Sequence, residues 1–149
     1  MRVVVQRCSR AEVRIDGNSV GKIGQGFMLL VGITETDTTA EADLLAKKIA
    51  QLRVFEDEAG KMNLAIRDVE GAILSISQFT LLGDVRHGKR PSWIRAERPE
   101  KANEMYARFN DALRAKGIHV EEGVFQAEML VNINNDGPVT ILLDSKRTF

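Results

Sequence analysis

Asn135-Asp136-Gly137-Pro138-Val139-Thr140 divides two apolar runs, Met129 to Ile133 and Val139 to Leu143. Gly137 can take backbone angles barred to other residues, and Pro138 fixes φ and removes a donor. The pair therefore makes a stiff corner between two strands. Carbonyls on such a corner are held in place, and fixed carbonyls can sort ligands by shape. Upstream of it, Ile118 to Glu121 reads as another strand. Ahead of that, Ala102, Met105, Tyr106, Phe109 and Leu113 recur at helical period. This helix starts near Pro99, a favoured first position, and stops at Gly117.

The first half of the chain is richer in strands. Arg2 to Ser9 and Ala11 to Ile15 precede the turn Asp16-Gly17-Asn18, and Ser19 to Ile23 returns as the second arm of a hairpin. Phe27 to Ile33 is a continuous apolar run, as in a buried strand. Thr38 and Glu41 have capping-box spacing, and Ala42, Leu45, Ala46, Ile49 and Leu52 then form one apolar stripe of a helix. Arg53 to Phe55 reads as a short strand closed by a polar turn from Glu56 to Lys61, and Ala72 to Phe79 as a longer strand. Strands and helices do not alternate regularly, which argues against a doubly wound fold. The expected architecture is α+β: a curved, mostly antiparallel sheet or small β-barrel with two packed helices, forming a single domain over residues 1–149.

Composition bounds the function. The chain has 149 residues, 44% hydrophobic and 28% charged, which suits one ordinary globular core. No apolar run approaches a membrane span, and no signal-peptide pattern opens the sequence. The one cysteine, Cys8, has no intrachain partner. A cytoplasmic protein is the expectation. Net charge is zero, so a large nucleic-acid footprint is disfavoured. Charge is nevertheless uneven. Between Asp84 and Arg98 stand Arg86, Lys89, Arg90, Arg95 and Arg98 against two carboxylates. A basic loop on a neutral body fits either a solvated turn or a small phosphate contact, such as one end of an RNA.

The common engines of catalysis are missing. There is no Walker loop, dinucleotide fingerprint, zinc spacing or nucleophile elbow. No metal or cofactor is expected. His87 and His119 lack ligand-spaced companions, Cys8 reads as a small hydrophobe, and Asp136 as a turn former.

Ser77-Gln78-Phe79-Thr80-Leu81 together with the Asn135 to Thr140 segment resembles the two signature motifs of the D-aminoacyl-tRNA deacylases. The similarity is collinear over essentially the whole chain. It extends to Gln6-Arg7-Cys8-Ser9-Arg10-Ala11, Gly60-Lys61-Met62-Asn63-Leu64, Arg90-Pro91-Ser92-Trp93 and Tyr106-Ala107-Arg108-Phe109. Two departures stand out: Trp93, where the family usually has Phe, and Asn134, where it often has an apolar residue. The resemblance implies a homodimer and a cis Gly137–Pro138 bond that reaches into the partner's site. Its substrate is a tRNA acceptor end carrying a D-amino acid, and the reaction is hydrolysis of the ester.

An aminoacyl ester is already activated, so holding it beside donors for the developing oxyanion supplies much of the catalysis. The expected donors are the backbone N–H groups of Phe79 and Thr80. Thr80 is either a nucleophile or a positioning group for water assisted by the ribose 2′-OH. No base stands beside it in sequence, which favours positioning. Ser77 and Gln78 are expected to bind substrate, Gln78 by orienting the ribose or the loop. The carbonyls of Gly137 and Pro138 are expected to hold the substrate's amino group and block an L side chain, which is specificity by exclusion. Glycine has no side chain to exclude, so glycyl-tRNA should pass. Arg7 either anchors the partner's corner, as the resemblance favours, or pairs with a local carboxylate. Arg86, Lys89 and Arg90 are expected to contact tRNA phosphates. Two readings compete: a non-catalytic RNA-binding or replication-associated dimer on the same fold, and a small-molecule hydrolase using Thr80.

Overall fold

A computed structural model describes residues 1–149. Its strands are β1 (Arg2–Ile15), β2 (Asn18–Ile23), β3 (Gly26–Gly32), β4 (Phe55–Glu56), β5 (Met62–Leu64), β6 (Ala72–Ser77), β7 (His119–Glu122) and β8 (Leu130–Asp144). Two helices, α1 (Thr39–Gln51) and α2 (Pro99–Arg114), complete the fold. The main sheet runs β2-β1-β3-β6-β7, with β8 on the free side of β1. β4 and β5 form a small separate ribbon, of which the sequence reading caught only the first arm.

The pairings around β1 are all antiparallel, whereas β3–β6 and β6–β7 are parallel. Parallel neighbours need a crossover, and each helix supplies one: α1 lies between β3 and β6, and α2 between β6 and β7. β3 is accordingly buried along nearly its whole length, which explains its unbroken apolar run. The sheet is thus antiparallel for the strands paired with β1 and parallel beyond β3, a mixture that local pattern does not reveal. No helix is long and apolar enough to cross a membrane.

The helix signals are realised. Ala40 N–H donates to Thr38 Oγ1 (3.3 Å), and Thr38 N–H donates to Glu41 Oε2 (2.9 Å), closing the capping box. Ala42, Leu45, Ala46 and Ile49 are buried against Ala102, Met105, Tyr106, Phe109 and Leu113 of α2 in the larger core. α2 ends at Arg114, and Gly117 (φ 78°) closes the following turn by donating to the Arg114 carbonyl at 2.9 Å.

β1 and β8 are each longer than the sequence reading made them. In both cases the two expected strands are one continuous strand. Both bend together. The register of β1 against β8 slips between Gln6 and Cys8 and again between Cys8 and Arg10, opposite the Gly-Pro corner. On one side of the bend Val3 and Val5 face the helices. On the other side Cys8, Ala11 and Val13 join Ile23, Met28, Leu74 and Ile76 in a second, smaller core. A regular strand would keep residues 3, 5, 11 and 13 on one face. The slips let one strand serve two cores and curl the sheet toward a barrel.

Candidate active site

β6 stops at Ser77, and the chain tightens into a 3₁₀ turn over Phe79–Leu82. Two contacts fix this turn to the sheet. Gln78 N–H donates to the Val31 carbonyl (2.7 Å), and Arg2 Nη1 donates to the Leu81 carbonyl (3.1 Å). The turn's own bonding begins with Leu81 N–H donating to the Gln78 carbonyl at 3.4 Å. The N–H groups of Phe79 and Thr80 therefore sit at its open N-terminal end, where a 3₁₀ turn has no internal acceptor to offer. Thr80 is exposed. Its hydroxyl accepts from Gln78 Nε2, and no histidine, lysine or carboxylate bonds to it.

Ser77, Gln78 and Phe79 border a cavity of about 540 Å³. Its walls are mostly apolar and come from β3, β6, the start of α2 and the segment leading into β8. Two polar residues in this wall escaped the sequence reading. Glu97 is the cavity's one charged residue. It pairs with Lys101 Nζ at 2.7 Å and accepts Arg98 N–H at 2.8 Å. Lys101, followed by the backbone N–H of Arg98, holds the Glu97 carboxyl below the usual carboxylate range. Gln126 lines the cavity from a left-handed backbone conformation (φ 64°), which is uncommon for a residue with a side chain. Glu97 reads in sequence as one more charge before a helix. Gln126 carries no motif.

The corner is built differently. Gly137–Pro138 is cis, as the resemblance implies. Residues Asn134 to Pro138 are all exposed. Gly137 has φ 117°, and a Cβ there would lie 2.9 Å from Val139 Cγ2 and 3.1 Å from Arg7 Nη2. Only glycine fits. Arg7 is 6% exposed and belongs to this corner. Its Nε donates to the Asp136 carbonyl (3.3 Å), its Nη1 donates to the Val54 carbonyl (2.7 Å), and it faces the Asp136 carboxylate at 3.3 Å. Within the chain Arg7 thus pairs with a carboxylate of its own corner and props that corner from beneath.

The two motifs do not meet in one chain. β8 and β6 are separated by β1 and β3, three strand spacings or roughly 14 Å across the sheet. No residue from Asn134 to Thr140 lines the cavity.

The basic loop is closed by a bridge between Asp84 and Ser92. Arg86 is tied to Asp84, its Nε donating at 2.9 Å and 3.1 Å, and this contact holds the Asp84 carboxyl well below its usual range. Lys89 and Arg90 are exposed and make no ion pair. Of the three expected phosphate contacts, two are free. Cys8 is buried and its thiol is pushed up to about 11 by that burial, so it has no nucleophilic character.

A family model for D-Tyr-tRNA(Tyr) deacylase matches residues 4–144. The chain is 57% identical over 149 residues to a D-aminoacyl-tRNA deacylase of Symbiobacterium thermophilum, covering all of this chain and 99% of that one. It is 58% identical to the D-aminoacyl-tRNA deacylase of Koribacter versatilis, covering both chains completely. Among solved structures, a c-Myc DNA unwinding element binding protein superposes with TM-score 0.91 at 42% identity, covering 97% of this chain and 98% of that one. A probable eukaryotic D-amino acid tRNA deacylase superposes with TM-score 0.83 at 16% identity, over 95% and 97% of the two chains, and shares the fold.

Proposed function

This chain belongs to the D-aminoacyl-tRNA deacylase family, and on that premise we propose how it hydrolyses the ester of a D-aminoacyl-tRNA. The terminal adenosine occupies the cavity beside Ser77, Gln78 and Phe79. Its size and apolar walls suit a nucleoside, with Glu97 and Gln126 as polar readers. The ester carbonyl points at the N–H groups of Phe79 and Thr80, which stabilise the oxyanion as it forms. Water attacks, helped by the ribose 2′-OH. Thr80, oriented by Gln78, positions the reacting groups. The observation that carries this reading is the open end of the strand-end turn: two free donors at the rim of a nucleoside-sized cavity, with no side-chain base beside them.

Chirality is read by a second copy of the chain. The corner is exposed, rigidly propped by Arg7, and remote from its own chain's cavity. In a homodimer it enters the partner's site. There the carbonyls of Gly137 and Pro138 receive the substrate's amino group and occupy the space an L side chain would need. A D side chain points to solvent, so its size is unconstrained, and glycine passes. Lys89 and Arg90 meet acceptor-stem phosphates. The protein works where charged tRNA is found, in the cytoplasm.

The test is a comparison of D-tyrosyl-, L-tyrosyl- and glycyl-tRNA under one set of conditions. The D-form and, to a lesser degree, the glycyl form are deacylated, and the L-form persists. Equal rates on D and L contradict the exclusion mechanism. A second reading, a non-catalytic nucleic-acid-binding dimer, draws on one observation, the likeness to a DNA unwinding element binding protein. Absence of turnover on all three substrates, with RNA still bound, would establish it instead.

A further inference from the structure

We propose that Trp93, braced by Phe79, is a stacking platform for the unpaired nucleotide that precedes the terminal one. The proposal rests on the reading of the cavity as the seat of a 3′-terminal nucleoside, and it adds a second base site outside that cavity.

Trp93 is an aromatic side chain fixed in place yet open to solvent. One edge of its ring lies on the backbone of Gly83, so closely that a Cβ there would stand 2.6 Å from Trp93 Cζ3. Phe79 meets it edge to face, with centroids 5.3 Å apart and planes at 70°. The Asp84–Ser92 bridge, with both N–H···O distances at 2.9 Å, fixes the backbone just before it, and Ala96 N–H donates to the Trp93 carbonyl at 3.0 Å. Despite these restraints Trp93 is 39% and Phe79 55% exposed. A flat ring held rigid loses little freedom on binding, so a base stacked on it keeps most of the contact energy.

Position and charge select the occupant. Phe79 both borders the cavity and touches Trp93, so the platform begins where the cavity ends. A nucleotide chain leaving the cavity meets it next. Lys89 and Arg90, unpaired, stand in the loop that leads directly into Trp93. Aromatic faces beside free cations are the means by which proteins hold single strands without reading sequence. A base inside a duplex has both faces covered by its stacked neighbours, and a terminal pair is too broad to enter beside the cavity-bound nucleotide, so the occupant is single-stranded.

Trp93 is the only tryptophan in the chain, and its emission reports this site alone. The full-length protein is titrated with the uncharged trinucleotide CCA, with adenosine, and with a blunt-ended RNA hairpin, while Trp93 fluorescence is followed. CCA should quench it strongly, and adenosine and the hairpin should leave it nearly unchanged. Binding of a dye-labelled CCA should weaken about tenfold in Trp93→Ala and recover most of that loss in Trp93→Phe. Binding of CCA without a fluorescence change, equal affinity in Trp93→Ala, or no CCA binding at all would overturn the platform. So would an emission that shifts with protein concentration in RNA-free samples that are already fully dimeric, which marks a further protein contact on the same surface. Quenching by CCA in a protein that deacylates nothing would keep the platform and remove the hydrolase reading.

Discussion

The turn at Phe79–Leu82 and the corner at Asn135–Thr140 are supported in opposite ways. The turn is bonded to β1 and β3 of its own chain, buries Leu82, and borders a cavity its own chain completes. The corner is held from beneath by one buried arginine and is otherwise open. The first has its donors and its cavity together in one chain. The second is a finished shape with nothing in its own chain to act on. The difference teaches that rigidity and completeness are separate properties: the corner is rigidly held, yet none of its residues lines the cavity of its own chain.

Perturbing each region separately sharpens that contrast. Phe79→Pro removes one of the two proposed oxyanion donors together with the ring that borders the cavity and braces Trp93. The turn should survive, since a first-turn position tolerates proline and Gln78, at φ −146° and ψ 86°, is already outside the helical region that proline disfavours in its predecessor. Deacylation of D-tyrosyl-tRNA should fall by about 10²-fold or more. Gly137→Val forces a side chain into the space between Val139 and Arg7. It should cost a comparable factor on the D-substrate, while the turn and cavity remain folded by circular dichroism. Thr80→Ala should cost only about tenfold if Thr80 positions rather than attacks, and no acyl-enzyme should be trapped from the unmodified protein. Complete loss of turnover, together with a trapped adduct, would make Thr80 the nucleophile.

Arg7→Met leaves the carbonyls of Val54 and Asp136 without their donor, and should cost about 2 kcal/mol of stability in urea titration. Arg7→Lys should not rescue it, because one ammonium cannot span both carbonyls as the guanidinium does. Lys89→Ala and Arg90→Ala should each flatten the salt dependence of tRNA binding by about 0.7 to 0.9 in log–log slope, whereas Arg86→Ala, already neutralised by Asp84, should change it little. The smallest effect lies far from both regions. Lys146, followed by Thr38, holds the Glu41 carboxyl at about 2. A depressed carboxyl contributes stability above its ordinary value near 4.5 and loses it as pH falls toward about 2. Glu41→Gln should therefore cost about 0.5–1 kcal/mol at pH 7 and almost nothing near pH 2.

Much of this molecule is legible in residue pattern. Thr38 with Glu41 fixes the start of one helix, Pro99 the start of the other, and Asp16-Gly17-Asn18 the first hairpin. These are local signals, and local physics decides them. Phe27 to Ile33 reads as buried, but nothing local says that its neighbour β6 runs parallel, because pairing is chosen by strands over forty residues away. Both long strands look broken in sequence, at Arg10 and at the Gly-Pro corner, for a physical reason: the residues there do mark bends, and a bend is compatible with a strand that continues past it. In the site, Ser77 to Thr80 and Gly137-Pro138 are recognisable because family likeness supplies what chemistry alone would leave as ordinary strand-edge polar residues. Glu97 and Gln126 are not, since a single residue reaching a cavity from a loop leaves no periodic trace.

The claim that the corner serves another copy of the chain is tested by mixing two inactive proteins. Phe79→Pro keeps an intact corner, and Gly137→Val keeps an intact turn and cavity. After the two are unfolded and refolded together, subunit exchange should restore D-tyrosyl-tRNA deacylation to about a quarter of the unmodified level, because half of the dimers are mixed and each holds one site with both parts sound. If the mixture stays as inactive as either variant alone while mixed dimers demonstrably form, the corner does not act across subunits and the account is wrong.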